Sequence, residues 1–421
     1  MTLELSKHDQ GLLEGEFGPG VQMAMRIIVL MARIENATTL MDISAAHIDS
    51  SLYMGLATLE FAERLASLGA KVVVPATSNV SGVDEHGWKQ WSVQPEWAEN
   101  AHRQMRAYQA MGCNPTWTCA PYQTEMRPTF GQQIAWGESN AIAFANSVIG
   151  ARTERYPDLL DICAAITGRV PAIGLHLTEN RAGQILVRLA DIPEALQMSE
   201  LFYPVLGHLL GKIAGEDIPV IENLAVIPEE NQLKALCAAA ASSGAVALLH
   251  IVGVTPEAPT LEAAFQGRAP QQIVEISLDI LRNTYAELTT DDGVNLDIVA
   301  LGCPHFSIGE FEKLAGLLEG KTRHLDMQFL VTSNRGMVKL AQERGYLEAL
   351  NSFGGKITVD TCMLTTPMLP AEIKTIMTNS GKYAYYTPGL LERKIIFGSL
   401  EECVQSAVEG KLVREEVIWN A

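Results

Sequence analysis

The chain has 421 residues, 48% hydrophobic and 19% charged, with a formal net charge of −18. That acidity, with no basic stripe, argues against nucleic acid as a partner, because phosphate binding needs clustered Lys and Arg. The start of the chain is polar and acidic, without the pattern of a secretory signal, and the apolar stretch 21–32 is too short to span a bilayer and carries Arg26. The expectation is a cytoplasmic protein with no membrane partner.

In chain order, Pro19 opens a nearly all-apolar helix over 21–35, followed by a short strand at 38–43. A helix over 53–68 stops at Gly69. A buried strand is expected at 71–75, with the polar loop 76–82 after it. A helix at 95–111 and a strand at 115–118 then lead into Cys119. The stretch 155–169 marks a boundary, and 172–256 has its own set of elements, as an inserted lobe would. Strands are expected at 172–176, 218–221, 246–252, 297–300, 328–331 and 356–359. Helices at 230–242, 273–287 and 308–318 lie between them, and 397–410 reads as strand, turn and helix. Such alternation predicts α/β architecture with mainly parallel sheets, here in lobes 1–155, 156–260 and 261–421. Functional loops in such sheets gather at the carboxyl ends of the strands.

Seven widely spread cysteines fit reduced thiols or metal ligands better than a disulfide framework. Cys163, Cys237 and Cys403 lie in helical, apolar contexts and read as core. Cys113, near a helix end, is a spare ligand candidate. Cys119, Cys303 and Cys362 differ: each follows an apolar or β-prone run and is flanked by Pro, Gly, Asp or Thr. Three thiolates drawn from distant loops can hold iron or an iron–sulfur cluster and leave one coordination position open for substrate. The alternative is three ordinary buried thiols.

Longer motifs accompany these cysteines. They include Leu13-Glu14-Gly15-Glu16-Phe17-Gly18, Ala46-His47-Ile48-Asp49, Thr118-Cys119-Ala120-Pro121-Tyr122, Ala135-Trp136-Gly137-Glu138-Ser139 and the segment from Ala145 to Thr153. Asp360-Thr361-Cys362, Asn379-Ser380-Gly381-Lys382 and Tyr385-Tyr386-Thr387-Pro388-Gly389 follow near the end. Together they resemble the large subunit of aconitase X, a branch of the aconitase superfamily of hydro-lyases, over nearly the whole chain. Two departures are visible: Ser50-Ser51 stands where a glycine is expected, and Gly381 where alanine is expected.

The resemblance implies aconitase-like α/β/α subdomains in several layers, lacking the swivel domain, and hence a separate small swivel-domain subunit as partner. It implies an iron-sulfur cluster or iron on Cys119, Cys303 and Cys362, which would spread the charge of a departing hydroxide. His47 would orient that hydroxyl or shuttle a proton, and Asp49 would set its tautomer or meet a substrate amine. Thr77, Ser78, Glu138, Ser139, Asn146, Ser147 and Arg152 are expected to bind a small anionic substrate, Arg152 through its planar fork. Lys382 would pair with an anionic group or stabilise the site. His305 is either a supporting neighbour of Cys303 or a helix-cap neighbour. Within the family two substrates are expected, cis-3-hydroxy-L-proline first and mevalonate 5-phosphate second. A non-catalytic scaffold descended from the enzyme is the reading of another class.

Overall fold

Three parallel sheets organise the chain, and the computed structural model describes residues 3–290 and 293–414 of it. In the first sheet Ala46–Ile48 lies between Ala76–Ser78 and Ala135–Trp136. The second runs His250–Ile251, Pro219–Glu222, Ile185–Leu189, Gln272–Ile276. The third has five strands in the order Lys356–Val359, Gln328–Ser333, Ile298–Leu301, Thr375–Thr378, Lys394–Phe397. Its strand order reverses between Ile298–Leu301 and Thr375–Thr378. Open α/β sheets bind ligands at such a reversal, outside the carboxyl ends.

Local chemistry fixes the helices. Pro19 starts Pro19–Ile34, which buries Ala24, Met25, Ile28 and Ala32 against Leu160–Thr167. Ser307 and Glu310 form a reciprocal cap on Ile308–Leu318. The Ala-rich helix Glu230–Ser243 packs tightly: a Cβ at Gly207 of the neighbouring Phe202–Ala214 would fall 2.3 Å from the Leu236 carbonyl. Glu230–Ser243 also supports Ser139–Phe144 and Gly381–Leu390, so one buried helix underlies elements of all three lobes.

Several expected strands are corrected. Residues 71–75 form none; the Val72 and Val73 amides bond to Met111 and Ala165 carbonyls off any ladder, and the strand begins one residue later. Residues 115–118 form no strand, and Trp117 turns to a φ of 42°. The span 172–176 ends in a single 3₁₀ turn, and only His250–Ile251 pairs within 246–252. The expected helix 273–287 divides. Its β-branched start lies in the strand Gln272–Ile276, and Ser277 caps a helix from Leu278. Packing of the first lobe continues past 155, since Arg169–Pro171 pairs antiparallel with Leu40–Asp42, and the second sheet continues past 260. Cys113 sits in the first-lobe core with Cys163, so it serves as a small hydrophobe.

Arg181 holds the first two lobes together. It is 1% exposed and ion-paired to Glu257 at 2.6 Å. Its remaining N–H groups donate to the Leu175, Asn146 and Ala151 carbonyls and to Asn146 Oδ1. Removing one partner of a buried ion pair strands the other and costs about 3–5 kcal/mol. Arg181→Ala should lose about that much unfolding free energy in a denaturant titration; a midpoint within error of wild type would contradict this role.

Candidate functional site

The carboxyl ends of the first and third sheets face one another. From the first sheet come His47 on the central strand and Asp49 just after it, Thr77 and Ser78 on its neighbour with Asn79 following, and Glu138 and Ser139 just after Ala135–Trp136. From the third come Cys303 after Ile298–Leu301 and Ser380 and Lys382 after Thr375–Thr378, on either side of the strand-order reversal. Cys362 follows the edge strand Lys356–Val359.

Cys119, Cys303 and Cys362 line one small void, together with Gly302, His305 and Tyr383. Each approach is fixed by hydrogen bonds. Asn140 donates to the Cys119 carbonyl at 2.9 Å, and Ser380 Oγ donates to the Cys303 carbonyl. Ser81 N donates to the Asp360 carbonyl at 2.7 Å, and Arg335 clamps the Asp360 carboxylate. Gly302 has a φ of 93°, and a Cβ there would fall 2.1 Å from the Thr332 carbonyl, so the turn into Cys303 requires glycine.

This donor set suits iron bound through sulfur. The His305 amide donates to Cys119 Sγ at 3.3 Å, and the buried Tyr383 hydroxyl beside the thiols has no partner. Burial pushes the Cys303 thiol up to about 12 and Cys119 well above the ordinary range; Lys382 opposes both shifts. A bound cation would supply the missing compensation for their thiolates. Among the described residues no three His, Cys, Asp or Glu side chains are gathered closely enough for a single ion. Three thiols on a common void would instead hold an iron–sulfur cluster, which takes its protein ligands as several thiolates.

Beside the thiols, Lys382 Nζ donates to Glu138 and, at 3.3 Å, to Ser139 Oγ. Burial works against the lysine charge, yet the Glu138 carboxylate and nearby Cys303 outweigh it and hold its pKa above the ordinary value. Asp49 accepts a bond from Asn79. Burial, with Glu138, Asp161 and Asp158 nearby, raises its pKa well above the carboxylate range, favouring the protonated form. His47 Nδ1 meets Thr77 Oγ1 at 2.8 Å, and that hydroxyl donates to the Ala46 carbonyl at 3.4 Å. Nε2 is buried without a hydrogen-bond partner. Thr77, and not Asp49, is the side chain that meets the ring. Ser78 Oγ and Asn79 Oδ1 are likewise buried without partners. A cleft of about 520 Å³ opens onto Cys303, Ser380 and Lys382.

Three expected substrate contacts are placed otherwise. Arg152 donates to the His176 carbonyl and to Thr178 Oγ1, and faces Glu257 at 3.8 Å. Asn146 is taken up by Thr153, Ala247 and Arg181, and Ser147 Oγ accepts from Leu249 N. The small residues of 139–151 serve lobe packing, and the π-turn Ala145–Ile149 turns these polar groups toward the second lobe. Both departures have local accounts. Ser50 Oγ donates to Asp161 at 2.7 Å and accepts from Tyr108 at 3.0 Å, anchoring the Asp49 turn. A Cβ at Gly381 would sit 3.1 Å from Pro204 Cβ and 3.2 Å from Ala239 Cβ, a tight fit. Asn79, Asn140 and Tyr383 were not expected in the site; each adjoins a residue that was.

Family models match the chain in three consecutive parts: aconitase X first domain over residues 2–179, second domain over 183–286 and third domain over 296–409. The cis-3-hydroxy-L-proline dehydratase of Pseudomonas aeruginosa is 44% identical over 410 residues, spanning 97% of this chain and 70% of that protein. The phosphomevalonate dehydratase large subunit of Methanocaldococcus jannaschii is 35% identical over 405 residues, spanning 95% of this chain and 99% of that one. The crystal structure of Thermococcus kodakaraensis aconitase X in its holo-form superposes with a TM-score of 0.85 at 32% identity. It covers 96% of this chain and all of that one.

Burial lowers the His47 pKa from 6.5 to about 3. The unfolded chain therefore takes up a proton that the fold refuses, and the stability gained from the neutral ring is lost as pH falls from 6.5 toward 3. Relative to His47→Gln, wild type should lose about 1.4 kcal/mol per pH unit below 6.5. Urea titrations at pH 7.5 and 5.5 measure this, and parallel curves would mean that the folded imidazole takes the proton.

Proposed function

The chain belongs to the aconitase X family, and we propose that it is the large, catalytic chain of a hydro-lyase whose substrate is cis-3-hydroxy-L-proline. Cys119, Cys303 and Cys362 would hold the iron or iron–sulfur centre. When bound, that centre supplies a Lewis acid for a departing hydroxide. The convergence of the three thiols beside the Glu138–Lys382 pair carries this reading.

The chain's own groups divide the remaining work. His47 offers Nε2 to orient the hydroxyl or shuttle a proton, held by Thr77. Lys382 and Ser139 would meet a substrate carboxylate, and Glu138 and Asp49 would accept from a substrate ammonium. Ser78 and Asn79 add buried polar atoms that await a partner. With Lys382 paired to Glu138 and Asp49 favoured as the protonated acid, the site carries little net charge, which suits a zwitterionic amino acid better than a phosphate dianion. That balance, with the 44% identity to a hydroxyproline dehydratase, favours this substrate over mevalonate 5-phosphate. The match to a chain named as a large subunit over 99% of its length supports a separate small subunit that closes the site and excludes water.

The test is anaerobic purification followed by iron and sulfide analysis, then assay of both substrates with and without a co-expressed small subunit. Wild type should hold iron and dehydrate cis-3-hydroxy-L-proline only with the partner present. Cys119→Ser, Cys303→Ser and Cys362→Ser should each lose iron and more than about a hundredfold in turnover, beyond what loss of a group that only supports a ligand costs. Full activity from the chain alone would overturn the division of labour. Turnover of mevalonate 5-phosphate alone would overturn the substrate.

A further inference from the structure

The three cysteine loops are far apart along the chain, and one residue is bonded to all of them. We propose that His305 is the positioning residue that locks the loops of Cys119, Cys303 and Cys362 into a single ligand set. The proposal rests on the reading of those cysteines as iron ligands.

His305 is 2% exposed and two residues after Cys303. Its Nε2 lies 3.0 Å from the Thr361 carbonyl, which can only accept, so Nε2 carries the ring proton. Nδ1 is then an acceptor, and Thr118 Oγ1 stands 3.3 Å from it as a donor. The ring thus joins the residue before Cys362 to the residue before Cys119. Its backbone adds two more ties. The amide donates to Cys119 Sγ, and the carbonyl accepts from Lys234 Nζ at 3.3 Å. Lys234 is itself buried and paired with Glu310. His305 is therefore bonded from all three lobes, across 186 residues to Cys119, 56 to Thr361 and 71 to Lys234.

A helix-cap neighbour has no need of this arrangement, because Ser307 and Glu310 already cap the helix that follows. Groups that orient metal ligands from behind typically change metal affinity about 10–100-fold when removed. They act by keeping the ligands arranged before the metal arrives.

The experiment reconstitutes wild type, His305→Leu, His305→Gln and Thr118→Val anaerobically with ferrous iron and sulfide. It measures iron per chain, the visible absorption of the centre, its loss rate to a chelator and the melting temperature of each metal-free chain. His305→Leu should melt close to wild type yet release iron about tenfold faster or more. His305→Gln, whose amide can still donate to Thr361, should recover part of the retention. Thr118→Val, which leaves the imidazole in place, should lie between. Equal retention in wild type and a folded His305→Leu overturns the proposal. So does equal loss in the Gln and Leu variants, because the ring's hydrogen bonds would then be irrelevant. Should His305→Leu fail to fold, wild-type retention in Thr118→Val overturns it. Wild type that binds no iron overturns the cysteine reading itself, a result distinct from the others.

Discussion

The buried pair of Glu138 and Lys382 is the interaction on which the site depends. Glu138 caps the helix Ser139–Phe144, and Lys382 lies at the start of Gly381–Leu390; both helices rest on Glu230–Ser243. Lone charges at this depth would be strongly penalised, so neither group is tolerable there without the other. Their pairing fixes the distance between the first and third lobes. The cysteines are tied to the same two helix starts, Cys119 through Asn140 and Cys303 through Ser380.

Around that pair the site is poor in free charge. His47 is neutral and burial favours protonated Asp49, while Cys119 and Cys303 resist ionisation. Desolvation is the first cause in each case. A water-poor pocket strengthens whatever electrostatic contacts a substrate and a metal bring. The cavity is thus prepared for charge instead of holding it. Its unpartnered atoms, His47 Nε2, Ser78 Oγ, Asn79 Oδ1 and the Tyr383 hydroxyl, are the groups that a bound species would satisfy.

Long elements were legible along the chain. The helices Pro95–Met111 and Ile308–Leu318 have the expected bounds, because a starting Pro or a Ser–Glu cap agrees with the apolar period there. The sheet reversal that brings Ser380 to Cys303 was not legible, since strand order is set by packing across lobes. Strands of two or three residues were missed or overdrawn. Ala46–Ile48 was not expected, and His250–Ile251 was expected as the longer 246–252; both are too short to show a period, and their pairing energy comes from neighbours distant in sequence. Arg152 shows the opposite error. An arginine beside small residues reads as an anion clamp, but its N–H groups are met by carbonyl and hydroxyl oxygens of the adjoining turns.

By itself the sequence determined the chemical inventory: three thiols in turn-forming loops, an imidazole and carboxyl group around Asp49, a lysine after Asn379-Ser380 and an α/β rhythm to carry them. These are local facts, written in side-chain type and spacing. Tertiary structure decided which of them meet. It gave Thr77 to His47, gave Glu138 to Lys382, sent Asn146 and Arg152 into the lobe contact, and placed His305 among the three cysteine loops. The reason is that a buried polar group takes its function from the partner that satisfies it, and in this fold those partners lie tens to hundreds of residues apart, 244 for Glu138 and Lys382.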